Sequence, residues 1–339
     1  MHAYLVTSDG GPDAIERVDR PDPAPGPGEA LVSMRAASLN YRDTIVAGGG
    51  YPRNDSFPCV PLSDGAGVVE AVGAGVKNLA VGDRVVNCFF RDWTDGDPDE
   101  AAMNSSYGGG IDGVLAERVV FPERALLPIP DHLSFEEAAC LPCAGVTAWQ
   151  ALFEKGELQA GDSVLCLGTG GVSIFALQLA KAAGATVYVT SSSDDKLERA
   201  KELGADGTVN YKTIPDWHKA VKKELTGGRG VDHVVEVGGP GTLAKSMRAC
   251  ALNGRIGLIG VLTGTDGEVN PLPCVFERLS IHGIYVGSRA MFERMNEHLV
   301  AHSIRPVVDR TFPFEQAIDA YKYLQSGSHF GKVVVTIGE

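Results

Sequence analysis

The chain has 339 residues, 44% of them hydrophobic and 22% charged, enough for two domains of ~100–200 residues that each bury a core. That composition excludes collagen-like, disordered and small cystine-framework proteins. Acidic residues outnumber basic ones 43 to 30, and the net charge of -13 repels a phosphate backbone, so no nucleic-acid partner is expected.

The N-terminal Met-His-Ala-Tyr-Leu-Val lacks a basic segment followed by an apolar one, and no apolar run approaches the ~20 residues of a membrane span. A cytoplasmic protein with no membrane partner is expected. Seven cysteines, an odd number at low density and mostly within apolar segments, read as reduced thiols.

Residues 1–128 are rich in valine, glycine and proline, with short alternating runs such as Ala30-Leu31-Val32-Ser33-Met34 and Gly67-Val68-Val69-Glu70-Ala71-Val72. Short strands joined by glycine turns predict a β-rich domain. Prolines 21, 23, 25 and 27 mark an extended connector, because each ring removes an amide donor. The acidic stretch 92–100 reads as a solvated loop.

From Asp162 the rhythm becomes strand, helix, strand, helix. Strands are predicted at 163–167, 186–190, 207–210, 231–237, 255–261 and 280–286, with helices at 171–183 and 194–203. Alternation of this kind calls for a doubly wound parallel sheet with right-handed crossovers, an α/β fold. After residue 289 the pattern predicts helix, helix and a last strand at 332–336. Among the histidines, His132, His218, His298 and His302 lie in polar stretches and read as surface residues.

Between the first strand and first helix of that sheet stands Gly168-Thr169-Gly170-Gly171-Val172-Ser173. An apolar strand before it and an amphipathic helix after it place backbone amides and a helix N-terminus where a pyrophosphate can sit. Ser173 occupies the usual place of a third glycine, which is expected to loosen helix packing slightly. The second strand runs into Ser191-Ser192-Ser193 rather than an acidic residue. Hydroxyls can donate to a ribose 2′-phosphate and Lys196, one turn on, adds charge, so NADPH (NADP) is favoured over NAD(H). Asp194 and Asp195 fit as cap and first-turn residues of the next helix. Tyr211 either reaches the same phosphate or packs.

Gly28-Glu29-Ala30-Leu31-Val32, Ser38-Leu39-Asn40-Tyr41-Arg42-Asp43, Asp64-Gly65-Ala66-Gly67-Val68-Val69, Val81-Gly82-Asp83-Arg84-Val85, Gly145-Val146-Thr147-Ala148 and the glycine turn follow one another as in medium-chain dehydrogenases/reductases. The chain resembles the zinc-independent quinone oxidoreductase and enoyl-reductase branch. The resemblance implies a GroES-like catalytic domain (residues 1–128 and 289–339), a Rossmann domain (129–288), and a homodimer joined through the strand at 281–286. At the catalytic metal positions of zinc alcohol dehydrogenases stand Asn40-Tyr41, Ser63-Asp64 and Cys143, and the structural-zinc lobe keeps only Cys88. Three protein ligands are needed, so no metal is expected at either place.

Without a Lewis acid, hydride transfer to a small-molecule electrophilic acceptor with delocalised charge, a quinone or an α,β-unsaturated carbonyl, is the easier chemistry. Closure of the domains would exclude water. Asn40 can donate to the acceptor oxygen, unless it only forms a turn; Tyr41, with an ordinary pKa of ~10, can donate a proton, unless it is a packed wall residue. The resemblance places Tyr51 at the pocket mouth, Thr147 against the nicotinamide and Lys332 at a cofactor phosphate. Gly260, Val261 and Leu262 should border the nicotinamide beyond a strand end. Arg42 and Asp43, adjacent and so expected to diverge, read as structural salt-bridge residues, and Asp64 as a structural hydrogen-bond acceptor. Cys140 and Cys143 read as small buried hydrophobes. The alternatives are an alcohol dehydrogenase of the same superfamily and a noncatalytic NADPH-binding protein, structural or RNA-associated.

Overall fold

The computed structural model describes residues 1–51 and 57–338. It divides into two compact units, Met1–Val146 with Gly287–Glu339, and Thr147–Val286.

In the first unit, strand Glu29–Leu39 is the organising element. It pairs antiparallel with Asp64–Val72, with Arg118–Pro122 and with Lys332–Thr336, and the sheet continues through Arg84–Asn87 to Leu126–Pro128. The glycines of Asp64-Gly65-Ala66-Gly67 exist for this crossing: a Cβ on Gly67 would come within 2.2 Å of the Ser33 carbonyl oxygen. On the far edge Val308–Pro313 runs parallel to Lys332–Thr336, the intervening helix Ala317–Gln325 making the crossover. The aliphatic residues of the sheet pack with Phe121, Phe312, Phe314 and Tyr321 into one core.

The expected boundary near residue 128 moves to 146. Residues 129–146 are tied into the first unit by polar bonds: Arg84 donates to the Leu133 carbonyl (2.6 Å), His132 meets the Ile304 carbonyl (3.0 Å), and the Cys143 N–H donates to Asp64 (3.1 Å). Composition alone does not register those long-range contacts.

The second unit is a six-stranded parallel sheet in the order Gly207–Asn210, Thr186–Ser191, Ser163–Leu167, Val231–Glu236, Cys250–Leu258, Ser280–Gly283. This is the expected doubly wound arrangement, with strand order reversing beside Ser163–Leu167, the place where such sheets open a crevice at their carboxyl ends. Strand Cys250–Leu258 starts and stops earlier than predicted. His218 is buried beside Trp217, not on the surface, and burial lowers its pKa. Among the described residues no helix is long and apolar enough to cross a membrane.

Candidate active site

Strand register builds the first half of the site. Leu39 pairs with Val333 and Ser38 with Asp64, so Asn40, Asp64 and Lys332, far apart in sequence, end at one level of the sheet. Asn40 then caps helix Tyr41–Ala47: its backbone N–H donates to Asp43 Oδ2 at 2.7 Å. The Asn40 side chain takes part in the capping box of this turn and also reaches across the sheet. Its Oδ1 accepts from Lys332 Nζ at 2.5 Å, and the same ammonium donates to the Leu39 carbonyl at 2.7 Å and lies 4.0 Å from Asp64 Oδ2.

Lys332, expected at a cofactor phosphate, here bonds Leu39 and Asn40. Its side chain is 3% exposed and turned into the first unit. Asp64 accepts from Ser63 Oγ at 2.6 Å and from the Cys143 N–H at 3.1 Å. Burial raises the Asp64 carboxyl above its ordinary value, opposed chiefly by the Lys332 ammonium and the Ser63 hydroxyl.

Beside this set lies a second buried pair. The structural salt bridge expected of Arg42 and Asp43 forms, but between the two neighbours themselves: Arg42 Nη1 donates to Asp43 Oδ1 at 3.1 Å as well as to the Tyr107 carbonyl at 3.1 Å. Burial pushes the Asp43 carboxyl up to about 6, against the pull of Arg42 and the Asn40 N–H. The Arg42 guanidinium also covers the ring of Tyr51, 4.4 Å from its centroid, and Phe89 at 5.0 Å. Tyr51, predicted at the pocket mouth, is thus held by a cation–π contact. Tyr41 is 48% exposed, so it is no packed wall residue.

These donors do not suit zinc. A zinc site needs thiolate, imidazole or carboxylate ligands. The Asp64 oxygens are already engaged by the Ser63 hydroxyl and the Cys143 N–H. Lys332 brings a fixed positive charge to the same spot, and the Asn40 oxygen faces that charge. At the structural-zinc position Cys88 is buried, its thiol pushed up to about 12.

The second unit carries a nucleotide cradle. Gly168 adopts φ +75°, a turn that suits glycine, and Gly170 leads into helix Gly171–Ala182 without a side-chain cap, leaving first-turn N–H groups for an anion. Thr169 is buried, and Val172 stands in the first helical turn. Ser173 does not loosen the helix as expected: its hydroxyl donates to the Leu167 carbonyl at 2.6 Å and fastens the helix to the strand end.

At the end of the second strand, the Ser191 carbonyl accepts from the Tyr211 N–H at 3.0 Å, which sets an exposed Tyr211 beside a buried Ser191. Ser193, not Asp194, caps the following helix, and Asp194 is engaged by Asn210 at 2.7 Å. Gly260, Val261 and Leu262 follow strand Cys250–Leu258 in a turn bonded to Glu236. A Cβ on Gly260 would overlap the Val237 carbonyl oxygen at 1.5 Å, so only glycine brings the two loops this close.

Sequence reasoning missed Glu236. It is fully buried, accepts from the Gly238 and Gly239 N–H groups and the hydroxyls of Thr242 and Ser246, and shapes the loop facing Gly260. An acidic residue closing an apolar strand was the available signal. Thr147 is buried at the start of the second unit, in a helical run with widened turns on both sides.

Two family models match the chain: an alcohol dehydrogenase GroES-like domain over residues 26–131 and a zinc-binding dehydrogenase domain over 171–301. A zinc-type alcohol dehydrogenase-like protein of Schizosaccharomyces pombe is 49% identical over 92% of this chain and 91% of its own length. The chain belongs to the medium-chain dehydrogenase/reductase superfamily. A crystal structure of an NAD-dependent alcohol dehydrogenase is similar with a TM-score of 0.91 and 38% identity over 100% of both chains. More distantly, a quinone oxidoreductase of Rattus norvegicus is 29% identical over 99% of this chain and 98% of its own. The protein is an oxidoreductase of this superfamily, with the fold that binds a nicotinamide dinucleotide. The zinc in the names of its relatives contrasts with the donor set found around Cys143.

Proposed function

We propose that this oxidoreductase uses NADPH, without zinc, to reduce a quinone or an α,β-unsaturated carbonyl. The observation that carries the reading is the substitution of an ammonium, a carboxamide and an engaged carboxylate for a metal ligand set. Asn40 can donate to an oxygen that gains negative charge, but Lys332, Asn40 and Asp64 cannot generate an alkoxide as a metal does.

When bound, the reduced nicotinamide supplies a hydride to the electrophilic carbon, and the electron pair of the acceptor's double bond moves toward its carbonyl oxygen. Asn40 Nδ2–H donates to that oxygen, and Tyr41 hands a proton to the enolate. Gly168, Thr169, Gly170, Gly171 and Val172 cradle the pyrophosphate; Thr147 and the Gly260–Leu262 turn orient the ring. Ser191, Ser192, Lys196 and Tyr211 would bind the 2′-phosphate, while the engagement of Asp194 by Asn210 removes a competing charge. The NAD-dependent relative marks the opposite preference. Replacing Lys196 with alanine is expected to raise KM for NADPH by roughly tenfold or more, leaving KM for NADH unchanged; equal effects on both would assign the pocket to NAD(H).

Steady-state assays of NADPH oxidation against quinones, enones and enoyl thioesters test the reading. Turnover of at least one class is expected. Inertness to all three, with oxidation of simple alcohols by NADP, would favour the alcohol dehydrogenase that the relatives' names suggest.

We also propose a homodimer. The support is strand Ser280–Gly283 at the end of the parallel sheet, preceded by exposed Leu272, Val275 and Phe276.

A further inference from the structure

Glu236 closes the strand that pairs with Ser163–Leu167 on the side where the sheet order reverses, so the loop after it flanks the crevice beside the glycine turn. The side chain is fully buried, and its partners are all neutral donors. Oε1 accepts from the Gly238 N–H at 2.7 Å, the Gly239 N–H at 3.1 Å and the Thr242 hydroxyl at 2.6 Å, while Oε2 accepts from the Ser246 hydroxyl. A carboxylate only accepts, and four donors leave it one orientation.

That orientation is passed on through a single peptide. The N–H and carbonyl of a trans peptide point in opposite directions, so drawing the Gly239 N–H inward to Glu236 turns the Gly238 carbonyl outward. There the carbonyl accepts from the Thr263 N–H at 2.9 Å and the Thr263 hydroxyl at 2.8 Å, and that hydroxyl in turn accepts from the Gly241 N–H at 2.9 Å. Gly239 takes φ +90° and ψ -142° in the process, a conformation that suits glycine. The main-chain carbonyl of Glu236 accepts from the Ile259 and Gly260 N–H groups at 2.9 and 3.1 Å. The turn Gly260–Leu262 is thus held before it by the Glu236 backbone and after it, through Gly238 and Thr263, by the Glu236 carboxylate.

We propose that Glu236 is a positioning residue for hydride transfer, which sets the Gly260–Leu262 turn against the nicotinamide. The inference rests on the proposed function for the place of that ring. Glu236 itself touches neither cofactor nor substrate. A ring that can shift against a loosened turn loses its alignment with the acceptor, whereas the adenosine half of the cofactor, held elsewhere, keeps its affinity.

The test compares wild type, Glu236→Leu, Glu236→Gln and Thr263→Val. Calorimetry measures the binding of each cofactor and of the same molecule without its ring: NADPH with 2′-phospho-ADP-ribose, and NADH with ADP-ribose. Single-turnover kinetics measure hydride transfer. Glu236→Leu should weaken the intact cofactor roughly tenfold or more, slow transfer by roughly 10²-fold, and leave the ringless molecule bound as before. Glu236→Gln should recover most of the loss, because its amide oxygen can serve the glycine N–H groups and its NH₂ can donate to Ser246. Thr263 is exposed, so Thr263→Val removes one hydroxyl without disturbing the core, and it should show the Leu pattern in weaker form even where Glu236→Leu does not fold.

Equal weakening of the intact and ringless molecules, glutamine no better than leucine, or Thr263→Val with unaltered cofactor binding and transfer would each overturn the proposal. A wild type inert to quinones and enones that still shows the ring-dependent binding pattern would overturn the reductase reading and leave the positioning role standing.

Discussion

Replacing Arg42 with methionine is expected to remove about 3–5 kcal/mol of folding stability, more at about pH 8 than at about pH 5. The Arg42 guanidinium is the principal cation opposing the burial of Asp43, whose carboxyl is 1% exposed and pushed up to about 6. Because the native value lies above the ordinary 3.8, the folded form binds the proton more tightly than the unfolded one. That contribution is complete below the ordinary value and is lost as pH climbs through about 6. Without Arg42, the penalty of ionising Asp43 grows, so the deficit widens on the alkaline side. Urea unfolding of both proteins at the two pH values checks it. Equal deficits would show that Arg42 stabilises through Tyr51, Phe89 and the Tyr107 carbonyl rather than through its charge.

The second large effect is kinetic. Tyr41→Phe should slow enone reduction by about 10²–10⁴-fold, with quinone reduction changed far less. After hydride transfer an enone must be protonated at carbon, which calls for an acid held at that carbon. A reduced quinone needs protons only on oxygen, which water supplies. Tyr41 begins its helix directly after Asn40 and is half exposed, so losing its hydroxyl leaves packing nearly untouched. Product formation with each acceptor class and melting temperatures of both proteins separate the two roles. Equal loss on both acceptors would make Tyr41 a binding residue rather than a proton donor.

Much of the fold was legible because local pattern and tertiary demand agree. Ser163–Leu167 is wholly buried and stops at a glycine turn, and Gly207–Asn210 is bounded by turn residues on both sides. Val308–Pro313 was missed because it is an edge strand whose Asp309 and Arg310 interrupt any apolar alternation. Cys250–Leu258 begins before the predicted start because Leu252, Asn253 and Gly254 read as a turn, and Asn253 does take a positive φ of 64°.

The site divides in the same way. The glycine cradle and the run from Ser191 are contiguous in sequence and were found there. The partnership of Lys332 with Asn40 depends on strand pairing across nearly the whole chain, and no spacing rule reports it. Ser173 and Arg42 misled for a related reason: the partners of a polar side chain are chosen by the packing around it, not by its neighbours in sequence.

Metal content measured together with turnover is the most direct test of zinc-free chemistry. Purified protein analysed by inductively coupled plasma mass spectrometry should carry far less than stoichiometric zinc and should oxidise NADPH with a quinone or enone at a rate that chelators leave unchanged. Stoichiometric zinc, with activity lost on chelation and restored by adding the metal back, would contradict it.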